Sequence, residues 1–154
     1  MLIETSSVHK KNTQSKAFTL TEVVIATMIA AVTAGSVIFG YVLSAKTAEW
    51  ASYSLAAHAL AMQRIEQARS CKWDLQASPP VDELVSSEFP VQTNILDIPI
   101  VNSNQVTIAT NFTTITDISA SPPLKMIRVD CTWTFVTGGK VFTNTIVTYR
   151  GPDA

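Results

Sequence analysis

The sequence lacks the features that mark an enzyme or a nucleic-acid-binding protein. Its 154 residues carry a formal net charge of −1, and no run of Lys or Arg that could track phosphates follows Lys16. It has no glycine-rich phosphate loop, no GxSxG and no HExxH motif. His58 has no second ligand-type residue one helical turn away, and the adjacent acids Asp82 and Glu83 are expected to be solvated. We therefore expect no catalytic activity, no cofactor, no metal site and no nucleic-acid partner.

Cysteine is also scarce. The chain has two, Cys71 and Cys131, and they lack the short spacing of a zinc site or a redox pair. They are therefore either free thiols in a core or one long-range disulfide, and the redox state of the compartment decides between the two.

The main feature that is present is a long uncharged stretch near the N-terminus. It runs from Val23 to Ala45, 23 residues, whereas a helix that crosses a hydrocarbon core needs about 20. Lys46 and Glu49 roughly cancel after it, while three lysines precede it: Lys10, Lys11 and Lys16. This asymmetry predicts a single-pass helix with its N-terminus in the cytoplasm and its C-terminal part exported.

A secretory signal peptide is the alternative interpretation of this stretch. Its apolar region would be about 7–15 residues long, and a cleavage site made of small residues would follow it. Two small residues do follow, Ala48 and Ala51. The stretch is nevertheless too long, which favours a membrane helix that is retained.

Helical character continues past the apolar stretch. The residues AKTAEWASYSLAAHALAMQRIEQARSCKWD contain no Pro or Gly and are rich in strong helix formers, which predicts one helix to about residue 72. Leu55, Ala59 and Met62 recur at helical spacing and are expected to pack on the core of a domain. Four charged residues are expected to face water: Glu49, Arg64, Glu66 and Arg69.

Glu22 is not explained by a plain membrane anchor. Its carboxylate lies near the start of the apolar stretch, and an acid costs about 2.5–3.5 kcal/mol at the centre of a span and less near the interface. The nearest basic residue, Lys16, is six residues upstream on a segment that need not be helical. We therefore expect its partner to come from another molecule or from a newly made amino terminus.

The motif around Glu22, KAFTLTEVVIATMIAAV at residues 16–32, resembles the prepilin processing motif of type IV pilins and type II secretion pseudopilins. Ala17, Phe18 and Glu22 match its small residue before the cut, its first mature residue and its fifth. The resemblance implies that a prepilin peptidase removes the leader 1–17 at the cytoplasmic face by cleaving between Ala17 and Phe18, and that Phe18 is then N-methylated. It also implies that Glu22 acts in filament assembly by neutralising the terminal amine of a neighbouring subunit.

Two positions depart from the usual pattern of the family, and one of them indicates which kind of subunit the chain resembles. Ala17 stands where the family most often has glycine, and Phe39 stands in place of the proline that major pilins often carry in the second half of the span. Gly35 and Gly40 flank that position. Because each glycine weakens a helix by about 1 kcal/mol relative to alanine, they either loosen the helix or allow close helix packing. The missing proline is more typical of a minor pilin or pseudopilin than of a main filament subunit.

Two later segments, AAHALAMQRIEQARSCKWD and MIRVDCTWTFVTGGK, resemble the I-type pseudopilins of type II secretion and the PilV-like minor pilins. The resemblance implies a location in the bacterial inner membrane, with the C-terminal domain in the periplasm. The partners that it implies are other pilin or pseudopilin subunits, the prepilin peptidase and the inner-membrane assembly platform.

The exported part changes its pattern after Pro79 and Pro80, which end any helix. Gly138 and Gly139 then give a two-glycine hairpin signal. Residues 82–92 and the region of Pro99 are expected to form a loop with at most one short strand. Alternating apolar residues predict three strands, at 105–114, 126–136 and 141–149.

The inward faces of these strands and the helix face are expected to form one core. The first strand is expected to bury Val106, Ile108 and Phe112, and the second Ile127, Val129, Cys131, Trp133 and Phe135. Cys131 would thus point inward, whereas a regular helix would turn Cys71 away from the sheet. A bridge requires the helix to fray before Lys72, so that the two Cα atoms approach to about 4.4–6.8 Å.

Together these patterns predict an α+β fold, a long N-terminal helix with a membrane half and an amphipathic half, packed on a small antiparallel sheet. The expected segments are the leader 1–17, the membrane and assembly helix 18–45, its amphipathic continuation 46–76 and the exported β-rich domain 77–154. The expected function is that of a minor pilin or pseudopilin subunit. The alternative is a single-span anchor that displays a β-rich binding domain. Secretion, pilus and DNA-uptake filaments share the N-terminal chemistry and are not distinguished by it.

Overall fold

The computed structural model describes residues 18–98, 106–136 and 138–153. The chain divides into two compact units, Met1–Leu43 and Ser44–Ala154. One long helix and antiparallel strands confirm the predicted α+β class. The helix α1 spans Leu20–Ser70, 51 residues, and its residues belong in part to each unit.

Helix α1 begins at Leu20 because Thr19 caps it. The Thr19 hydroxyl oxygen accepts a hydrogen bond from the Glu22 amide at 3.3 Å, which satisfies one of the amides that have no partner inside the first helical turn. The helix then continues through Gly35 and Gly40 without interruption. Open space surrounds both glycines, so close packing against another helix at these positions stays a prediction.

Helix α1 ends at Ser70, two residues before the predicted end and well short of residue 76. The Lys72 amide donates to Glu83 Oε2 at 3.0 Å, and the Trp73 amide donates to Asp153 Oδ2 at 2.9 Å. These acceptors lie far along the chain, so helix propensity, which is a local property, does not reveal them. Residues 71–76 of the predicted continuation 46–76 therefore lie after the end of helix α1.

The strands form two antiparallel sheets. The strand bounds are β1 Trp73–Asp74, β2 Val81–Asp82, β3 Gln92–Ile95, β4 Ile108–Ala120, β5 Pro123–Phe135 and β6 Lys140–Arg150. In the smaller sheet β1 pairs with β2, and in the larger the order is β3-β4-β5-β6. A 3-10 turn, Ser86–Glu88, follows β2 and precedes β3 along the chain.

The three predicted strands are present with shifted ends. The predicted two-glycine hairpin joins β5 to β6, and Gly139 adopts a positive φ of 65°, a conformation that glycine reaches without strain. Strand β4 extends six residues beyond its predicted end, to Ala120, and turns directly into β5 at Ser121 and Pro122. The short strand that was expected near residues 82–99 is β3, with the two-residue β2 before it.

The helix face that packs on the core differs from the predicted one. Leu55 and Met62 are 71% and 41% exposed, and Ala59 is exposed as well. The buried stripe contains small residues flanked by two larger ones: Tyr53, Ala57, Ala61, Ile65 and Ala68. The alanines leave room in the core for large side chains from the sheet, such as Trp133. Arg64, predicted to face water, is half-buried and donates to Thr113 Oγ1 at 3.3 Å.

The inward face of β4 is also the opposite of the predicted one. Val106, Ile108 and Phe112 are exposed, whereas Thr107, Ala109 and Asn111 are buried. For β5 the predicted face is confirmed, because four of its five expected residues are buried and Phe135 is half-buried against the core: Ile127, Val129, Cys131 and Trp133.

Aromatic rings close one end of this core. Trp133 stacks on Tyr53 and on Phe142, with ring centroids 5.7 Å and 5.0 Å apart. The Trp133 indole N–H donates to Asn144 Oδ1 at 2.8 Å, and the Asn144 amide donates in turn to the Ser54 carbonyl at 3.0 Å. These contacts fix the second half of helix α1 on β5 and β6 within the Ser44–Ala154 unit.

Candidate functional site

The N-terminal part of helix α1 has no cover in the described structure. From Leu20 to Leu43 the helix is about 36 Å long, and every described residue up to Leu43 is exposed. By length and composition this helix can cross a membrane. Side chains such as Leu20 and Phe39, 85% and 71% exposed, need lipid or another apolar surface, because water is an unfavourable environment for so many of them together.

Three hydroxyl groups within this apolar part are satisfied by the helix itself. Thr27 donates to the Val24 carbonyl at 2.9 Å, and Ser36 donates to the Val32 carbonyl at 2.8 Å. Thr33 donates back in the same way, to carbonyls one turn earlier. These residues can therefore enter a hydrocarbon environment without an unsatisfied donor.

Glu22 differs from these hydroxyl residues. Its side chain is exposed and makes no hydrogen bond or ion pair within the described part of the chain. It shares one helix face with apolar neighbours, and together they line a shallow open depression with Ile25, Ala26 and Ile29. A carboxylate on an apolar helix is costly to place in a membrane, and no described residue offsets that cost.

The sequence around Glu22 also contains a motif that marks the start of a helix. Thr19 and Glu22 have the T-x-x-E spacing of a capping box, in which the acid follows the cap residue by three positions. The structure has the half of this motif in which the Glu22 amide donates to Thr19. An acid in the first turn is also favoured by the helix dipole. Glu22 therefore has a structural role at the helix start besides any role toward a partner.

Of the two residues at the predicted cleavage site, the structure describes one. Ala17 lies outside the described residues. Phe18 is described, is 77% exposed and precedes the first helical residue by two positions. The predicted cleavage and N-methylation stay predictions.

Both cysteines are free thiols in the structure. Cys131 is buried in the core, and burial raises its pKa to about 11. Cys71 is half-buried and packs against the core, because the helix ends one residue before it. Burial is also the main cause that raises the Cys71 pKa. Their pairing in an oxidising compartment stays a prediction.

Two acids that were expected to be solvated have partners. Asp82 Oδ2 accepts from the ammonium of Lys125 at 2.5 Å, and Lys125 also donates to the Leu84 carbonyl at 2.8 Å. Lys125 is 5% exposed and lies 4.9 Å from the centre of the Trp73 ring. The Lys125 cluster joins β5 to the small sheet, so we interpret it as structural. Glu83 accepts from the Lys72 amide, as described above.

Metal chemistry finds no support among the described residues, where no three His, Cys, Asp or Glu side chains are grouped as ligands. His58 lies on the exposed side of the helix and lines a shallow depression with Trp50 and Leu55.

Comparison with known proteins adds no closer assignment: no protein-family model, no curated protein and no solved structure matches this chain. The class of protein therefore follows from the fold and the site alone. A long apolar helix near the N-terminus, followed by an antiparallel sheet that packs on the helix's second half, is compatible with a pilin-like fold and with a membrane-anchored β-rich domain.

Proposed function

We propose that this protein is a minor pilin or pseudopilin subunit that assembles through its N-terminal helix into a type IV pilus-like or type II secretion filament. A prepilin peptidase cleaves it between Ala17 and Phe18, Phe18 is N-methylated, and the mature subunit waits in the bacterial inner membrane. The assembly platform then moves it into the filament with other pilin or pseudopilin subunits. The observation that supports this proposal most is the unpartnered carboxylate of Glu22.

A plain anchor needs only an apolar helix, and residues 23–43 supply one. In that helix the hydroxyls of Thr27, Thr33 and Ser36 are satisfied internally, whereas the Glu22 carboxylate is not satisfied by any described residue. An acid near the membrane surface is costly unless it is paired. The free amine of a neighbouring subunit's Phe18 would supply the missing positive charge, and that pairing couples processing to assembly.

The second candidate function is a single-span anchor that displays a β-rich binding domain. The place of Glu22 in the first helical turn favours this candidate, because the helix dipole stabilises an acid there and gives Glu22 a purely local reason to be present. The two candidates differ in what the carboxylate does, and variants at Thr19 and Glu22 separate them.

The test compares Glu22→Ala, Glu22→Gln and Thr19→Ala in cells that carry the partner subunits. We expect both Glu22 variants to insert and fold normally but to lose crosslinks to partner pilins, because both lack the negative charge. Thr19→Ala removes the cap oxygen and keeps the charge, so it should crosslink normally. Glu66→Ala, which removes an exposed acid from the same helix, is the control.

The anchor interpretation predicts a different pattern. If the Glu22 carboxylate acts only on the helix dipole, Glu22→Ala and Glu22→Gln should each weaken the first turn of the helix by about 0.3–1 kcal/mol. The Glu22 variants would then crosslink to partners as well as the unmodified protein does. That outcome would contradict the filament proposal.

A further inference from the structure

The larger sheet of the Ser44–Ala154 unit has one covered edge. Strand β3 pairs with only the first part of β4, and Ser86 covers a point beyond it. The Ser86 hydroxyl oxygen accepts from the Ile115 amide at 2.9 Å and donates to the Ile115 carbonyl at 3.2 Å. A side chain thus takes the place of a neighbouring strand on this side of the sheet.

The opposite edge, β6, is open. It pairs with β5 along its whole length, Lys140–Arg150, and stands last in the strand order. In an antiparallel pair, about half of the backbone N–H and C=O groups point away from the partner strand. Within the described residues, no other segment hydrogen-bonds to the backbone of residues 141–149.

The devices that normally blunt an edge are missing from β6. Residues 141–149 include no charge, no proline and no glycine, and their pairing with β5 has no bulge. The side chains on the outer face are uncharged and exposed: Val141, Thr143, Thr145, Val147 and Tyr149. A long, uncharged edge of this composition readily accepts another strand.

The hydrophobic core is also incompletely buried at this edge. Phe142 and Ile146 point toward the helix side, pack against the core and are only half-buried. On the covered side of the sheet, Ala109 and Asn111 are fully buried. One more strand beside β6 would cover the exposed parts of Phe142 and Ile146 and would pair the outward backbone groups at the same time.

Charge indicates which strand fits. Lys140 is exposed and has no ion pair among the described residues. Strand β6 contains no Asp or Glu, so the β6 strand of a second copy offers Lys140 no acid in any register. In antiparallel pairing centred on Thr145, the residue opposite Lys140 would be Arg150 of that copy, which is also basic. An acidic residue opposite Lys140 would stabilise the strand pair.

We propose that the open edge of β6 is a docking site for an extended segment of a different protein. The segment adds to the sheet antiparallel to β6, places uncharged β-branched or aromatic side chains beside residues 141–149, and places an acidic side chain beside Lys140. This inference does not depend on filament assembly through Glu22, so either can fail without the other.

A synthetic strand peptide tests the site on the full chain in detergent. The probe is a peptide of about ten alternating Thr and Val residues that ends in Glu, with alternate amides N-methylated on one edge so that it cannot stack on itself. We expect alternate amides of residues 141–149 to become protected from hydrogen exchange. A matched peptide that ends in Lys should bind about fivefold more weakly, because its charge repels Lys140.

Two matched variants locate the binding. Thr145→Lys puts a charge on the exposed face of the edge strand, and Thr134→Lys puts the same charge on the same face of the central strand β5. We expect the first variant to lose the protection and the second to keep it. Thr145 donates a hydrogen bond to Asp130, which Thr145→Lys replaces with a charge pair, so urea unfolding without peptide checks that both variants fold.

Three results would overturn the proposal. One is the absence of alternating protection, and another is equal protection in the two lysine variants. The third is protection that arises without peptide and grows with protein concentration, which would show that a second copy occupies the edge.

Discussion

Asp153 joins the end of the chain to the end of helix α1. Its carboxylate accepts from the Trp73 amide at 2.9 Å and from Arg150 at 2.5 Å. Arg150 also donates to the carbonyls of Ala68 and Cys71, at 3.2 Å and 2.6 Å, and so caps the helix C-terminus. The Trp73 amide, followed by Arg150, lowers the pKa of Asp153.

This lowered pKa predicts a loss of stability in acid. Because the folded-state pKa lies below the unfolded value of about 3.9, the contribution of Asp153 is present above that pH and is lost as the pH falls through the folded-state value. Asp153→Asn should therefore be less stable near neutral pH and should lose less stability in acid. Urea unfolding followed by tryptophan fluorescence at several pH values measures this. Parallel curves for the two proteins would contradict it.

The two cysteines are predicted to differ in reactivity. Burial raises the pKa of Cys131 to about 11, whereas Cys71 is only half-buried. Since the thiolate is the reactive form, we expect an alkylating reagent to label Cys71 before Cys131 in the folded protein. Equal labelling rates would contradict the buried position of Cys131.

The same reagent decides the question of the disulfide. In protein extracted from membranes and denatured without reductant, two labelled cysteines would eliminate a bridge between Cys71 and Cys131. No labelling, with the mass of a monomer, would establish it.

At the residue scale, the sequence pattern identified Glu22 as an acid that needs a partner, but Thr19 was not identified as the residue that caps the helix. Glu22 was conspicuous because it is a charge in an apolar run. Thr19, three residues earlier, completes a local motif that the sequence also contains. The partners of Lys125 could not be predicted, because Asp82 and Leu84 are more than forty residues away along the chain and only the fold brings them together.

At the scale of elements, the second half of helix α1 packs through a stripe of alanines. Ala57, Ala61 and Ala68 are fully buried, and Leu55 is exposed. Because these alanines are completely buried in a packed core, a larger side chain on that stripe would not fit unless its neighbours moved. The exposed apolar side chains on the other side need a different explanation from packing within this unit.

Two alanines that are two positions apart, on opposite faces of the helix, test this assignment. We expect Ala61→Leu to lower the free energy of unfolding by about 1–3 kcal/mol, because extra methylenes in a packed core force side chains and backbone to shift. Ala59→Leu, on the exposed face, should change it by less than about 0.5 kcal/mol. Urea unfolding of both variants measures the difference. A larger loss for Ala59→Leu would restore the face that the sequence pattern predicted.

Strand β4 shows that an alternating pattern of apolar residues does not by itself identify which face of a strand points to the core. The alternation of Val106 and Ile108 correctly predicts a strand, but Ala109 and Asn111 point to the core. A shift by one residue moves every side chain to the other face, and hydrophobicity alone chooses the larger residues for the inside. Here small and polar residues face the core, including Asn111, whose side-chain oxygen accepts no hydrogen bond from any described residue.

At the scale of the whole molecule, the α+β class and the apolar helix followed directly from composition and period. The apolar run, the strong helix formers that follow it and the glycine pair at 138–139 were all readable in the sequence. The sequence did not reveal which elements pack beside one another, because that depends on contacts between distant parts of the chain, such as the contact of Ser86 with Ile115. The open edge of β6 is likewise a property of strand order, not of any one strand.

The central claim is that the chain is a processed subunit of a pilin-like filament, and the mature N-terminus tests it most directly. Intact-mass and N-terminal peptide spectrometry of protein purified from membranes should find a chain that begins at Phe18 with one methyl group on its amine. A mature chain that begins at Met1, or one cut after Ala48 as a secretory signal would be, would contradict the claim.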